Sequence, residues 1–244
     1  MKKHKQDKSL YVPQGEKMKG KLLFKDKIKW TEKQQKFLSI AADKDTRVML
    51  IKGPAGSSKS IVAVFAALQL LDQKRVSEIM YIRSAVESSD SKLGYLPGTN
   101  EEKMALYNLP FMDKLDELLQ SASVDSLKKD GFVSCFSTNF ARGMSWNAKA
   151  VIMDEAQNSS RKEIITILTR LGHFSRAFVL ADPMQTDLKN GSGGSFEEIF
   201  TLFNNEESKS KGIHCFEFTE DDIMRSELVR YLVKRFHELP ARTH

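Results

Sequence analysis

The stretch "GPAGSSKS", residues 53–60, determines the fold that this sequence predicts. It matches the phosphate-binding loop pattern G-x-x-x-x-G-K-[ST], except that Ser58 occupies the position of the second glycine. The apolar run "VMLIK" (48–52) before it predicts a buried strand, and "SIVAVFAALQLL" (60–71) after it predicts a helix. A strand, a glycine-containing loop and a helix in this order allow backbone N–H groups to bind phosphate. The stretch therefore predicts a P-loop, and the alternative is a serine-rich turn that only resembles one.

The loop contains the residue types that a nucleotide site needs. Lys59 would reach the β- and γ-phosphates of ATP, and Ser60 would ligate Mg²⁺. Ser58 keeps its backbone N–H, so the substitution matters only if this residue needs a positive φ or lies against phosphate. The predicted nucleotide-binding residues of the loop are Gly53, Pro54, Ala55, Gly56, Ser57, Ser58, Lys59 and Ser60.

A pair of carboxylates follows a second apolar run, in "AVIMDEAQN" (150–158). At the end of a strand, Asp154 would hold Mg²⁺ through water, and Glu155 would polarise the attacking water. The alternative is an ordinary acidic start of the next helix. Because the pair follows a buried strand in a chain that also has a P-loop motif, we interpret it as catalytic.

A third apolar run ends in a polar loop, in "AFVLADPMQTDL" (177–188). Asp182 and Gln185 would hydrogen-bond the γ-phosphate or the attacking water, whereas the alternative is an Asp-Pro turn without a catalytic part. Three strand ends with phosphate-binding residue types favour a working P-loop over the serine-rich turn.

Strand-like and helix-like patterns alternate along the rest of the chain. The box "SRKE" (160–163) predicts the start of a helix over 161–171, and a last helix is predicted near 223–237. This alternation predicts an α/β fold with a mostly parallel sheet and helices on both faces, whose ligands bind beyond the carboxyl ends of the strands. The predicted strands are 48–52, 78–83, 132–137, 150–154, 177–182 and 213–218.

The composition is that of a globular protein. With 244 residues, of which 41% are hydrophobic and 29% charged, the chain suits one substantial domain or two small ones. No run approaches the roughly 18 apolar residues of a membrane span, and no apolar segment follows the lysine-rich start, so a cytoplasmic location is expected. Cys135 and Cys215 lack metal-ligand spacing and are expected to be small buried residues.

Positive charge is concentrated at the amino terminus. Residues 1–30 contain ten lysines and three acidic residues, in a chain whose net charge is +6. We divide the chain into a basic extension, residues 1–29, and a nucleotide-binding domain, residues 30–240. Such an arm commonly contacts nucleic-acid phosphates or anionic surfaces, and the alternative is a disordered solubilising tail.

Six blocks of the sequence carry a family resemblance: "GPAGSSKS", "IRSAVESSDSKLGYLPG", "ARGMSWNAKAVIMDEAQNSS", "ILTRLG", "ADPMQTDL" and "DDIMRSELV". In their order and spacing they resemble the PhoH-like ATPases over roughly residues 31–237. This resemblance implies a RecA-like P-loop NTPase core related to superfamily 1 helicases, from a family common in bacteriophage genomes and often linked to RNA metabolism. Family members usually have glycine where this chain has Ser58, and proline where it has Ser84.

The resemblance also implies roles for residues outside the three strand ends. Gln34 resembles the upstream glutamine that contacts adenine in helicase-like ATPases, although a surface glutamine on an amphipathic helix is the alternative. Arg83, Lys92 and Arg142 lie in blocks that meet nucleic acid, and the alternative for each is a solvated charge.

Superfamily 1 helicases bury ATP between two RecA-like domains of one chain. This chain has room for one such domain, so a single molecule would not enclose ATP by itself. A neighbouring molecule would then supply an arginine finger. Arg225 is the family's candidate and Arg170 the second, with surface helix charge as the alternative for both. A closed homo-oligomeric ring, with a hexamer favoured, would complete every site identically. The predicted function is an ATPase that remodels or unwinds RNA or single-stranded DNA. The alternative is a nucleotide-dependent switch or a small-molecule phosphotransferase.

Overall fold

A computed structural model describes residues 18–26, 28–83, 100–138, 145–182, 194–224 and 226–237. In this part of the chain, six parallel strands form one sheet in the order β3-β2-β4-β5-β1-β6. The strands are β1 (Val48–Lys52), β2 (Glu78–Arg83), β3 (Val133–Ser137), β4 (Lys149–Asp154), β5 (Arg176–Ala181) and β6 (Ile213–Glu217). The helices are α1 (Glu32–Ala42), α2 (Lys59–Asp72), α3 (Asn100–Leu118), α4 (Ser121–Lys129), α5 (Arg161–Leu168), α6 (Gly194–Phe203), α7 (Glu206–Ser210) and α8 (Glu227–His237).

The sheet separates two hydrophobic cores. Successive residues of a strand point to opposite faces, so Met49 of β1 joins one core and Leu50 the other. Helices α1 to α4 cover the first face, and α5 and α6 cover the second. The predicted α/β fold with a parallel sheet and helices on both faces is therefore confirmed.

The strand order brings the three predicted phosphate-binding strand ends together. Strand β5 lies between β4 and β1, with Val151 of β4 and Val48 of β1 both paired to Ala177. Because all three strands run in the same direction, their carboxyl ends meet at one edge of the sheet. All six predicted strands are present, and their bounds differ from the prediction by at most one residue at each end.

The last helix is shorter than its prediction of 223–237. A 3-10 turn, Glu220–Asp222, precedes it, and Ile223 then adopts an extended conformation. The backbone N–H of Met224 donates to the carbonyl oxygen of Gly56 at 3.1 Å, so this segment is tied to the P-loop before α8 begins at Glu227.

The helix predicted over 161–171 also ends early, at Leu168, although the capping box at its start is present. Leu171 forms a parallel bridge with Trp146, and the Trp146 N–H donates to the carbonyl oxygen of Arg170 at 2.9 Å. These pairings place the end of the predicted segment beside the sheet.

The domain begins earlier than residue 30. The side chains of Met18 and Leu22 are buried in the first core, and the Leu22 N–H donates to Asp72 Oδ1 at 2.7 Å. The Phe24 ring lies edge-on to Phe65 of α2, with centroids 5.2 Å apart. Residues 18–26 therefore belong to the packed domain rather than to an extension, because their few apolar side chains cover α2 while the lysines face outward.

Candidate active site

The P-loop joins β1 to α2 as the sequence predicts. Ser58 has a φ of 66°, in the left-handed region, and Gly56 has a φ of 79°. Glycine adopts this left-handed conformation without strain. Here Ser58 adopts it instead, at a cost in backbone strain. Gly53 is needed for a different reason, since a Cβ there would lie 2.7 Å from the Cβ of Phe218.

Lys59 folds back over the loop. Its Nζ donates to the carbonyl oxygens of Gly53 at 2.6 Å and Pro54 at 2.8 Å. Burial lowers the pKa of Lys59, and the nearby carboxylates of Asp182, Asp154 and Glu155 oppose that shift. The ammonium group therefore lies among three carboxylates that come from the ends of two other strands.

Ser60 and Asp154 meet at the start of α2. The Ser60 Oγ donates to Asp154 Oδ1 at 3.2 Å, and the backbone N–H of Glu155 donates to the same oxygen at 3.0 Å. The hydroxyl of Tyr81 donates to the other oxygen, Oδ2, at 2.6 Å. Tyr81 is 2% exposed, and burial beside Asp154 raises its pKa, which keeps the hydroxyl protonated as a donor.

Glu155 follows the strand in an unusual conformation. Its φ is 56°, a left-handed value that a glutamate adopts only under local constraint. Burial raises the pKa of Glu155, as does the charge of Asp154. A hydrogen bond from Gln157 Nε2 at 2.6 Å and an Arg83 guanidinium nitrogen 3.7 Å from Glu155 Oε1 counter that increase.

Gln157 connects two of the strand ends. Its amide nitrogen binds Glu155, and its Oε1 accepts the backbone N–H of Asp182 at 3.0 Å. Gln157 and Tyr81 were not among the candidate residues that the sequence patterns identified. A glutamine two positions after the predicted catalytic Glu155 is a usable sequence signal, whereas Tyr81 resembles the apolar residues around it in a buried strand.

A cavity of about 470 Å³ opens beside these groups, within the size range of small-molecule sites. Gln34 lines it and is 2% exposed, so the alternative of a surface glutamine is wrong. Its Oε1 accepts the Thr31 N–H at 2.9 Å in the capping box of α1. Trp30 and Lys114, which no sequence pattern singled out, line the same cavity. From the loop and the strand ends, its lining includes Ala55, Gly56, Ser58, Lys59, Ser60, Asp154, Glu155 and Asp182.

Ser57, Gly53 and Pro54 make hydrogen bonds within the P-loop. The Ser57 Oγ donates to the carbonyl oxygen of Pro54 at 2.7 Å, inside the turn. Gly53 and Pro54 line a second cavity of about 530 Å³, which shares Asp182 with the first. Their carbonyl groups hold Lys59, so these residues shape the P-loop.

The residues at the site fit a magnesium ion that arrives with a nucleotide. Within the described ranges, no group of three or more His, Cys, Asp or Glu residues forms a metal site. Mg²⁺ is commonly held by one or two protein oxygens together with phosphate oxygens and water. The Ser60 hydroxyl and the Asp154 carboxylate provide such oxygens side by side.

Other predicted residues are not brought to the P-loop. Arg170 follows α5 at the amino-terminal edge of the sheet, beside Trp146, so it does not reach the phosphate site of its own chain. Its Nε is buried and has no hydrogen-bond partner among the described residues. The predictions for Lys92, Arg142, Gln185 and Arg225 fall outside the described residues.

Comparison with known proteins agrees with the sequence resemblance. The PhoH-like protein of Mycobacterium tuberculosis strain H37Rv is 32% identical over 196 residues, which are 80% of this chain and 54% of that protein. The PhoH-like protein of Bacillus subtilis strain 168 is 30% identical over 197 residues, 81% of this chain and 60% of that protein. The chain thus spans somewhat more than half the length of these relatives.

Among solved structures, the large terminase from a thermophilic bacteriophage matches with a TM-score of 0.49 and 13% identity, over 85% of this chain and 50% of that chain. No helix in the described part of the chain is long and apolar enough to cross a membrane. The site has the strand, loop and helix of a P-loop NTPase, with an acidic pair at the end of β4, which β5 separates from β1. The family profile described as PhoH-like protein matches residues 27–237, and the chain belongs to this family.

Proposed function

We propose that this protein binds ATP with Mg²⁺ and hydrolyses it. One observation carries the proposal: the adjoining ends of β1, β4 and β5 place an ammonium, a hydroxyl and three carboxylates around one cavity. A structural protein has no use for this set of charges, because Asp154 and Asp182 are buried and a buried charge costs desolvation free energy.

The loop and Lys59 would bind the phosphates. Backbone N–H groups at the start of α2 present partial positive charge, and Lys59 adds a full charge. The Lys59 ammonium donates to two carbonyl oxygens of the loop itself, so the protein's own contacts hold it at the phosphate end. Ser60 and Asp154 would hold the magnesium ion, which neutralises charge on the β- and γ-phosphates.

Glu155 would act on the attacking water. Its raised pKa makes the carboxylate a better proton acceptor, and Gln157 and Arg83 restrain its position. Asp182 and Gln185 would contact the γ-phosphate or the same water. At the other end of the cavity, Gln34 would contact adenine.

A neighbouring molecule would complete the site. Hydrolysis commonly needs a positive charge that stabilises the transition state, and an arginine from another copy can supply it. In the described part of the chain, Arg83 is paired with Glu155, and Arg170 lies at the opposite edge of the sheet. We assign this role first to Arg225 and second to Arg170. Identical head-to-tail contacts would close into a homo-oligomeric ring, with a hexamer favoured.

The ring would act in the cytoplasm on RNA or single-stranded DNA. The support is the lysine-rich amino terminus and the blocks around Arg83, Lys92 and Arg142, for which the sequence resemblance implies contact with nucleic acid. The alternative, a nucleotide-dependent switch or a small-molecule phosphotransferase, needs no nucleic acid.

Phosphate release by the purified protein, measured alone and with RNA or single-stranded DNA, tests the proposal. We expect basal hydrolysis that requires Mg²⁺ and rises severalfold with one of the two nucleic acids. If neither RNA nor single-stranded DNA changes the rate of hydrolysis, the nucleotide-dependent switch is favoured. Transfer of phosphate to a small acceptor would favour the phosphotransferase. Absence of any Mg²⁺-dependent nucleotide binding would contradict the ATPase itself.

A further inference from the structure

Tyr81 lies behind the acidic pair, on the strand next to it. Strands β2 and β4 pair in register, with Tyr81 opposite Ile152 and Arg83 opposite Asp154. Asp154 is two residues beyond Ile152, so it lies on the same face of the sheet and diagonally across from Tyr81. A tyrosine side chain is long enough to span this distance. Its hydroxyl thereby reaches Asp154 Oδ2 at 2.6 Å.

The Tyr81 ring is held as firmly as its hydroxyl. It stacks on Phe111 of α3, with ring centroids 4.8 Å apart and an interplanar angle of 14°. Tyr81 is 2% exposed and Phe111 is fully buried. The stack and the burial thus hold the phenol in the orientation in which it donates to Asp154.

The two oxygens of Asp154 have different partners as a result. Oδ2 accepts from Tyr81, whereas Oδ1 accepts from Ser60 Oγ and from the Glu155 N–H. We propose that Tyr81 is a positioning residue: it occupies Oδ2, so that Asp154 presents Oδ1 alone to Ser60 and to the nucleotide-bound metal ion. This inference rests on the proposed function of the site.

Tyr81 acts through Asp154 and not on the nucleotide. The residues that line the nucleotide cavity include Asp154 and Ser60, but Tyr81 is not among them. Removal of its hydroxyl leaves a buried carboxylate oxygen without its donor and frees the carboxylate to rotate. The metal ion should then bind less tightly, while the phosphate contacts of the loop remain.

The test uses Tyr81→Phe in the full chain, because phenylalanine keeps the ring and its stack on Phe111. Mn²⁺ binding in the presence of ADP, followed by electron paramagnetic resonance, and Mg²⁺ titration of fluorescent-ADP binding measure the metal site without catalysis. We expect the half-saturating metal concentration to rise roughly 10-fold, the order expected for a charge-assisted hydrogen bond. ADP affinity in EDTA should stay within about twofold. Tyr231→Phe, on the exposed face of α8, is the matched control.

A double-mutant cycle with Asp154→Asn separates positioning from a general structural effect. If Tyr81 acts through the carboxylate, Tyr81→Phe should shift metal binding much less in the Asp154→Asn background than in the wild type. Equal shifts in both backgrounds, or an unchanged metal requirement in Tyr81→Phe, would overturn the inference and leave the ATPase proposal intact. A wild-type protein whose ADP binding ignores metal would instead contradict the proposed function.

Discussion

Ser60 and Asp154 are separated by 94 positions in the chain, yet the Ser60 hydroxyl lies 3.2 Å from Asp154 Oδ1. The contact joins the first turn of α2 to the last residue of β4, across the edge where the strand ends meet. Because Asp154 is also held by Tyr81 and by the Glu155 N–H, the protein's own hydrogen bonds form the pair. Such preorganisation means that binding free energy is not spent on assembling the site.

Lys59→Ala should abolish hydrolysis and weaken ATP binding by tenfold or more, since a buried charge-assisted contact is worth on the order of 1.5–3 kcal/mol. Fluorescent-nucleotide titration and phosphate release measure the two effects. Lys209→Ala, in an exposed ion pair with Glu206, is the matched control and should behave as wild type. Wild-type turnover by Lys59→Ala would contradict the P-loop assignment.

Glu155→Gln should bind ATP with Mg²⁺ as the wild type does, yet hydrolyse it at least about 100-fold more slowly. The amide has nearly the same shape but does not accept a proton from water. Nucleotide binding and single-turnover hydrolysis, measured on the same preparation, separate the two properties. Loss of ATP binding in this variant would show that the roles assigned to Asp154 and Glu155 are wrong.

Ser58→Gly should stabilise the protein by about 0.5–1 kcal/mol, because glycine adopts the left-handed conformation of this position without strain. Ser57→Gly, one residue earlier, should do the opposite and cost about 1–2 kcal/mol, since it removes the buried hydrogen bond to Pro54. Urea unfolding of both variants gives the comparison. A destabilised Ser58→Gly would mean that the serine side chain contributes contacts that outweigh its strain.

Much of this architecture follows from the sequence for a simple physical reason. Buried parallel strands are short apolar runs, and their carboxyl ends share one edge, so polar residues after such runs are brought together. Strand-end patterns alone are therefore enough to place Lys59, Asp154 and Asp182 at one site. They also identify Ser58 as the position where glycine is missing, but the positive φ there is visible only in the folded backbone.

Two features that the sequence patterns missed depend on contacts that no local pattern encodes. Tyr81 reads as one more buried strand residue, and its partner Asp154 lies 73 positions away. The lysine-rich composition of the amino terminus predicted an extension, although Met18 and Leu22 pack against the first core. This short segment packs because α2 offers it a hydrophobic surface and because its backbone pairs with the junction between α3 and α4.

Asp222 should make the stability of the protein depend on pH. It receives hydrogen bonds from Lys33 Nζ at 2.7 Å and from the Thr219 N–H at 2.6 Å, and thereby ties the segment before α8 to α1. Burial disfavours its charged form, but these hydrogen bonds outweigh burial and hold the pKa of Asp222 below its usual value. The stabilisation is therefore fully present above the unfolded-state pKa of about 4 and disappears as the pH falls through the lower folded-state pKa.

Asp222→Asn should accordingly destabilise the protein by about 1–2 kcal/mol at pH 7. The difference from wild type should shrink below about pH 4. Urea unfolding at several pH values measures it, and Lys33→Met should reproduce part of the loss at neutral pH. A difference that stays constant down to acid pH would show that the charge of Asp222 is not its source.

The proposed ring predicts that Arg225 acts on ATP bound to a neighbouring molecule. Arg225→Ala should bind ATP but lose hydrolysis, because the arginine would stabilise charge that develops only in the transition state on ATP held by a neighbour. The Lys59→Ala chain should also lose hydrolysis, but for a different reason: its own P-loop lacks the lysine, whereas its Arg225 is intact. Mixed in one ring, the Lys59→Ala chain should complete the intact P-loop of the Arg225→Ala chain and restore part of the activity. If native mass spectrometry shows mixed rings and no activity returns, Arg225 does not act between molecules. The same mixture made with Arg170→Ala then tests whether Arg170 takes that role.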